Sequence, residues 1–308
     1  MTSTCRQNRM KRHDRRSFVY NTLAMTLDDL RRRLEKLNRR PLADRLYFGV
    51  AQPDSAPRMS SPPTHGLESV VPGRVRLVGG APYYAIASAI SHDAPHKPHI
   101  ADHLTKILNE LDADAVADAQ PGLAGAVSAG IGGLLFVDLE TCGFAGTPVF
   151  LIGTMYHHRR DFRVEQLLAR TYAEEAAILA RFARLLDRYS HLVTFNGKSF
   201  DWPFLADRAA ICRVALPPAG GHSDLLHAAR RRFKRILPDC KLQTLEHHVC
   251  GRRRFGDIPG AEIPGAYHEF VRHGDARRLR DIIRHNYLDL TAMAEILGTL
   301  LGGSRWQH

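Results

Sequence analysis

Apolar positions along this chain fall into two rhythms, one of short unbroken runs and one of helical stripes. Leu134-Leu135-Phe136-Val137, Val149-Phe150-Leu151-Ile152 and His191-Leu192-Val193 are runs of strand length. Unbroken runs of this kind predict strands covered on both faces. Strands are expected over 134–138, 148–156, 162–167 and 191–195, with a short fifth over 221–225. The second and third are joined at His157-His158-Arg159-Arg160, polar enough for an exposed hairpin tip. Between the third and fourth, residues 173–189 carry Ala177, Leu179, Phe182, Leu185 and Leu186 at helical spacing. Further helices are expected over 200–210, 226–236, 242–249, 266–274 and 277–301. Three strands in a meander, then helix, strand, helix, strand and helices, is an α/β layout. It predicts a mixed five-stranded sheet flanked by helices, with the first of these strands central.

The N-terminal part is less regular. Residues 1–24 are basic and polar without periodicity and are expected to be a disordered tail. Met25 is a plausible alternative start, because Thr26 can cap a helix striped by Leu27, Leu30, Leu34 and Leu37. Residues 50–70, rich in Pro, Ser and Gly, read as a linker. Val75–Val78 and Ala81–Ile86 read as a β-hairpin turned by Gly79-Gly80, and 99–111 as a helix. The small-residue stretch 115–133 lacks both GxGxxG spacing and a Walker lysine, so it reads as a linker and not a phosphate loop. Residues 25–133 thus form an N-terminal helix, linker and hairpin/helix extension to a main domain over 134–303.

Composition narrows the class. No apolar run approaches the ~20 residues that span a bilayer, and the N-terminus lacks an apolar signal core. Five cysteines are scattered without a CxxC pair, which favours reduced thiols over a disulfide framework. A cytoplasmic protein is expected, with no membrane partner. The net charge is +11, carried largely by arginine, including Arg230-Arg231-Arg232, Arg252-Arg253-Arg254 and Arg277-Arg278. Guanidinium forks suit bidentate phosphate contacts, so nucleic acid is the expected partner.

The chemistry concentrates in carboxylates. Asp138-Leu139-Glu140 closes the first strand, and alternation puts both acids on one face. Two like charges that close need a proton or a cation between them. Asp201 follows Asn196-Gly197-Lys198-Ser199-Phe200, and Asp289 follows His285 by four residues on one helical face. Singly, these are equally read as strand-end ion pairs, a helix cap and a surface histidine. Converging, four carboxylates would hold hard divalent cations, Mg²⁺ or Mn²⁺. Two such ions ~3.5–4 Å apart suit in-line attack on a phosphodiester, with His285 as the base for the attacking water.

Asp138-x-Glu140, Asn196-x4-Asp201 and His285-x3-Asp289 resemble the three exonuclease motifs of the DEDD superfamily, 3′–5′ exonucleases of ribonuclease H-like fold. The resemblance is closer to the YprB-type exonuclease-domain family. It is carried by Asp138-Leu-Glu-Thr-Cys-Gly-Phe144, Val193-Thr-Phe-Asn-Gly-Lys-Ser-Phe-Asp201, His222-Ser-Asp-Leu-Leu-His227, Leu242-Gln-Thr-Leu-Glu246, Asp257-Ile-Pro-Gly260 and His285-Asn286-x2-Asp289. It covers about 134–300, with a fainter match near 72–95. It implies a two-metal 3′–5′ exonuclease acting on single-stranded DNA or RNA ends, with Asp138, Glu140, Asp201 and Asp289 as metal ligands. Thr141, Asn196 and Lys198 would lie on the substrate side, and Asp224 would support the site from behind. The chain departs from the pattern twice. His285 stands at the spacing of the tyrosine-type motif, and Cys142 stands where a second threonine is usual. Two other readings remain open: a binding module with weak catalysis, and a structure-specific endonuclease of the same fold.

Overall fold

A computed structural model describes residues 65–90, 100–144 and 146–302. The described residues all belong to one compact unit, Ser60–His308. The expected tail over 1–24 and the helix beginning at Thr26 lie outside them.

The five expected strands are present and adjacent in the sheet. They are β3 (Leu134–Thr141), β4 (Val149–His158), β5 (Asp161–Leu168), β6 (His191–Thr194) and β7 (Gly221–Asp224). β3 runs antiparallel to β4 and parallel to β6, which in turn pairs parallel with β7. The sheet is wider than expected, with seven strands in the order β1-β2-β5-β4-β3-β6-β7. The two additions are the hairpin β1 (Arg74–Val78) and β2 (Ala81–Ala89), turned at Gly79 and Gly80, both at positive φ. β5 had a free edge that a hairpin could complete, and β2 pairs with it over Tyr84–Ala89. Periodicity identifies a hairpin but not the edge it joins.

Both faces of the sheet are covered, which is why β3 and β4 read as unbroken apolar runs. On one face α5 (Glu175–Leu186) and α6 (Asp201–Ile211) pack on Leu135, Val137 and Leu139 of β3. On the other, α2 (Ile100–Glu110), α7 (Leu225–Phe233), α8 (Leu242–His248) and the long α10 (Arg277–Leu300) close over Leu134 and Phe136. Each such fully buried Leu or Phe contributes roughly 1.5–3 kcal/mol. The first half of α10 joins α1 (Leu67–Val70) and α9 (Ile263–His273) in a third cluster. There Tyr267 stacks on Phe150 at 3.9 Å and donates its hydroxyl to the Ala169 carbonyl.

The stretch 115–133 is not a linker. It forms α3 (Ala113–Ala119) and α4 (Pro121–Gly133), capped by Asp112 and opened by Pro121. Its small residues serve close packing on β6 and β7. A Cβ at Gly125 would stand 2.5 Å from the His191 ring, and Ser223 donates to the Gly122 carbonyl at 2.7 Å. Glycine and alanine look like a linker in sequence, yet here they let a helix approach the sheet. Of the segment read as a linker over 50–70, the described part contains the single turn of α1. None of the described helices is long and apolar enough to cross a membrane.

Candidate active site

Asp138 and Glu140 alternate with Val137 and Leu139, so packing of the apolar pair against α5 and α6 turns both acids toward the face of α10. A bulge between Glu140 and Thr141 ends the regular pairing there. α10 meets them with a polar segment bracketed by apolar ones. Ile282 and Ile283 precede it and Leu290 and Met293 follow, leaving His285, Asn286 and Asp289 over the end of β3. Asp201 arrives from a third direction, at the first turn of α6 and buried.

The four carboxylates lie near enough to feel one another's charge. Asp138 is held well above the ordinary carboxylate range, first by burial and then by the charges of Asp289, Glu140 and Asp201. Glu140 is raised for the same reasons, with Asp289 and Asp201 as its principal neighbours. No described residue donates a hydrogen bond to it. Burial also pushes Asp201 up to about 7, assisted by Asp224 and Asp289 and opposed by backbone N–H groups, including that of Leu139. Repulsion of this kind calls for cationic compensation.

Part of that compensation is internal. Arg254 places Nη2 2.5 Å from Asp289 Oδ1, Nε 2.5 Å from Glu246 Oε2 and Nη1 3.2 Å from Asp257 Oδ2. Asp138 is held differently. Asn286 donates to its Oδ2 at 2.8 Å while accepting from Gln166 Nε2 at 2.8 Å. Asn286 fits because Gly153 lies opposite Asp138 in the β3–β4 register. A Cβ on Gly153 would stand 2.1 Å from Asn286 Oδ1.

His285 faces two carboxylates. Its Nδ1 lies 2.9 and 3.0 Å from the two oxygens of Asp257, and its Nε2 lies 3.6 Å from Asp289 Oδ2. Burial works to raise Asp257, but hydrogen bonds from His285 and Arg254 outweigh it and hold Asp257 below its ordinary value. An ionised carboxylate only accepts hydrogen bonds, so Nδ1 carries the proton, and in the neutral ring Nε2 keeps its lone pair. Tyr287, two residues before Asp289, packs instead against the core beneath α10.

The residues expected on the substrate side are less gathered. Thr141 donates its hydroxyl to the Gly143 carbonyl at 2.8 Å, stiffening the loop after β3. Arg208 of α6 steadies the same loop through the Gly146 carbonyl. Asn196 adopts φ 65° in the turn between β6 and α6. Asp224 anchors that turn by accepting from the N–H groups of Asn196 and Lys198, and it also caps α7 through Leu226. Gly197 is required there, since a Cβ would stand 2.3 Å from the Thr194 hydroxyl. Lys198 is exposed, and its charge is felt at His191 and His222 on the β6–β7 side.

Four contributors escaped the sequence reading of the site: Asn286, Gly153, Arg254 and Asp257. Asn286 and Asp257 stood inside recognised motifs without a role. Gly153 carries no local signal, because its partner Asn286 lies far away in the chain, and Arg254, expected with its run to contact phosphate, instead pairs with Glu246, Asp257 and Asp289.

The donor chemistry suits a hard cation, although the side chains are not gathered into a ready site. Among the described residues no three His, Cys, Asp or Glu side chains stand close enough to make a ready metal-binding group. Two observations nevertheless fit a hard cation. Buried Glu140 and Asp201 and half-buried Asp138 are strained by their own charges, and Asp289 Oδ1 is buried with Arg254 as its counter-charge but no properly directed hydrogen bond.

A buried acidic cluster at the end of the central strand of a mixed sheet defines a ribonuclease H-like protein. Residues 135–301 match the RNase_H superfamily, and the chain belongs to it. Its proteins are generally nucleases that act on nucleic acid and use divalent metals. Among curated relatives, the chain is 36% identical over 168 residues to "Uncharacterized protein YprB" of Bacillus subtilis (strain 168). That match spans 53% of this chain but only 40% of the relative. Among solved structures, the family B DNA polymerase from the hyperthermophilic archaeon Pyrobaculum calidifontis aligns with 55% of this chain and 24% of its own, at TM-score 0.45 and 18% identity. That likeness is too distant to bear on function.

Proposed function

We propose that this protein is a metal-dependent 3′–5′ exonuclease that hydrolyses phosphodiester bonds at single-stranded nucleic-acid ends. The observation that carries the reading is the meeting of Asp138, Glu140, Asp201 and Asp289, from three separate elements, beside an oriented histidine.

These four carboxylates would hold two divalent cations, Mg²⁺ or Mn²⁺. When bound, the cations acidify a water and offset charge on the phosphate and on the leaving 3′ oxygen. Asn286 fixes the Asp138 carboxylate so that its second oxygen stays turned to the cluster. Arg254 neutralises Asp289, and Glu246 and Asp257 hold its guanidinium beside the cluster. Asp257 holds the proton on His285 Nδ1, so Nε2 takes the proton from the attacking water. Thr141, Asn196 and Lys198, on loops held by Gly143 and Asp224, would meet the terminal nucleotide.

The test uses 5′-labelled DNA and RNA oligonucleotides with Mg²⁺, with Mn²⁺ and with chelator. Stepwise shortening from the 3′ end should need the metal and disappear in Asp138→Ala. Cleavage that persists with chelator present, or in that variant, would overturn the two-metal reading. Cutting of circular single strands would replace exonuclease by endonuclease action.

A further inference from the structure

Part of the arginine charge conspicuous in the sequence is already partnered. Arg232 donates to the last carbonyls of α10, Arg252 and Arg254 pair with buried carboxylates, and Arg277 and Arg278 pair with Asp275 and Glu262. Arg230 and Arg231 stay exposed on α7, and a second exposed set lies elsewhere. An open trough of about 950 Å³ runs between the β1–β2 hairpin and the end of α5. Arg74 and Arg76 of β1, Arg163 of β5, and Arg184 and Arg188 beside α5 line it; all five are exposed. None of them makes an ion pair with a described carboxylate. The acid at its floor, Glu165, is already met by Arg181 at 2.9 Å and by the Tyr156 hydroxyl, which leaves Glu68 as the opposing charge on the lining.

Both walls carry a pair of arginines. Arg74 and Arg76 alternate along a strand, so they project from one side about 6.8 Å apart. Arg184 stands in the last turn of α5 and Arg188 in the turn that follows it. Tyr189, half-buried and set against Tyr156 at 5.3 Å, adds an aromatic surface. Val78 and Tyr83 belong to the cluster that packs on α5, so the trough lies on the sheet face opposite Asp138 and Glu140. β2 is three strand spacings from β3, a lateral offset of roughly 14 Å.

We propose that this trough is a second nucleic-acid site, one that grips the sugar–phosphate backbone of a single strand at a distance from the bond being cut. Guanidinium groups spaced along two walls with an aromatic ring between them suit a single strand, whose phosphates recur and whose bases stack without sequence preference. The choice of nucleic acid over other polyanions rests on the nuclease reading of the carboxylate site; the trough itself does not. Its function is retention, keeping a strand bound between successive cuts.

Binding of fluorescein-labelled 20-nucleotide oligo(dT) and oligo(U) to the full chain, measured by anisotropy in EDTA over a salt series, tests the proposal. The variants are Arg74→Glu/Arg76→Glu and Arg184→Glu/Arg188→Glu, with the Arg→Lys pairs as controls for folding. Each charge reversal should weaken binding at least tenfold and flatten the salt slope by about 1.4, two phosphate contacts' worth. The lysine pairs should bind within about threefold of wild type. Hydrolysis of a dinucleotide in Mg²⁺, too short to reach the trough, should stay within twofold in every variant.

Unchanged affinity and slope in both reversed pairs would overturn the proposal. So would trough-dependent binding of polyglutamate without trough-dependent binding of either oligonucleotide. Loss of dinucleotide hydrolysis in wild type, with charge-sensitive oligonucleotide binding retained, would sink the exonuclease reading and leave the trough standing.

Discussion

Gly153 has no chemistry of its own, yet it decides whether Asp138 is held. Its missing side chain is the space that Asn286 fills, and Asn286 is fully buried between Asp138 and Gln166. Gly153→Ala should therefore destabilise the protein by roughly 1–3 kcal/mol through overpacking and reduce hydrolysis at least tenfold. Urea unfolding provides the check. In Gly153→Ala/Asn286→Ala the stability loss should be smaller than the sum of the single losses, since one change removes the atom the other strikes. Additive losses would separate the two residues. Asp201 supplies a pH dependence. Its folded carboxyl titrates at about 7 against an ordinary value of 3.8, so folding prefers the protonated acid. That contribution is complete below about pH 4 and is lost as pH rises through about 7. Metal-free protein should lose stability over this window, and Asp201→Asn should recover roughly 1–3 kcal/mol at pH 8. Equal melting curves for the two proteins at pH 8 would contradict this.

Three elements deliver the site, and each was legible to a different degree. β3 and α10 were plain in the sequence, because a strand-length apolar run and a 24-residue amphipathic pattern leave few alternatives. Their polar residues were equally plain: the expected Asp138, Glu140 and Asp289 stand where these elements cross. The turn between β6 and α6 was recognised as a motif, but what holds it was not. Asp224 accepts from three backbone N–H groups, two in that turn and one at the start of α7. Asp224→Ala should cost roughly 1–3 kcal/mol, the range for a cap together with buried donors left unmet. It should also raise KM more than it lowers kcat, because the turn carries Asn196 and Lys198 and not the central carboxylates. A fall in kcat alone would point instead to Asp201. α10 and the loop after α8 meet at His285 and Asp257. Asp257→Asn should slow hydrolysis at least tenfold by freeing the imidazole to flip, while His285→Ala should slow it by roughly 10²–10⁴-fold. Steady-state rates below saturation measure both, and an unaffected Asp257→Asn would remove it from the proton path.

Charge organises the whole molecule. An acidic cluster lies on one face of the sheet and a basic trough on the other, so repulsion of opposite sign is concentrated at two places in the described residues. Divalent metal should stabilise such a protein by relieving the repulsion in the acidic cluster. Mn²⁺ at about 100 times its dissociation constant should add about 2.7 kcal/mol at pH 8, reversed by EDTA and absent in Asp138→Ala; calorimetric melting without activity measurement is enough to see it. The sequence by itself determined the α/β class, the central strands and helices, and the carboxylates that stand at their ends. Those follow from local periodicity and from residue type at a few positions. Only the tertiary structure decided that the sheet has seven strands, that a glycine-rich stretch is a packed helix, and that Arg254, Asp257 and Asn286 surround the acids. It also decided which arginines are partnered: Arg232, Arg252, Arg254, Arg277 and Arg278 meet carbonyls or carboxylates, while Arg74, Arg76, Arg163, Arg184 and Arg188 line one trough. Strand pairing, close backbone approach and ion pairing all depend on which distant residue lies opposite, and spacing along the chain does not carry that information.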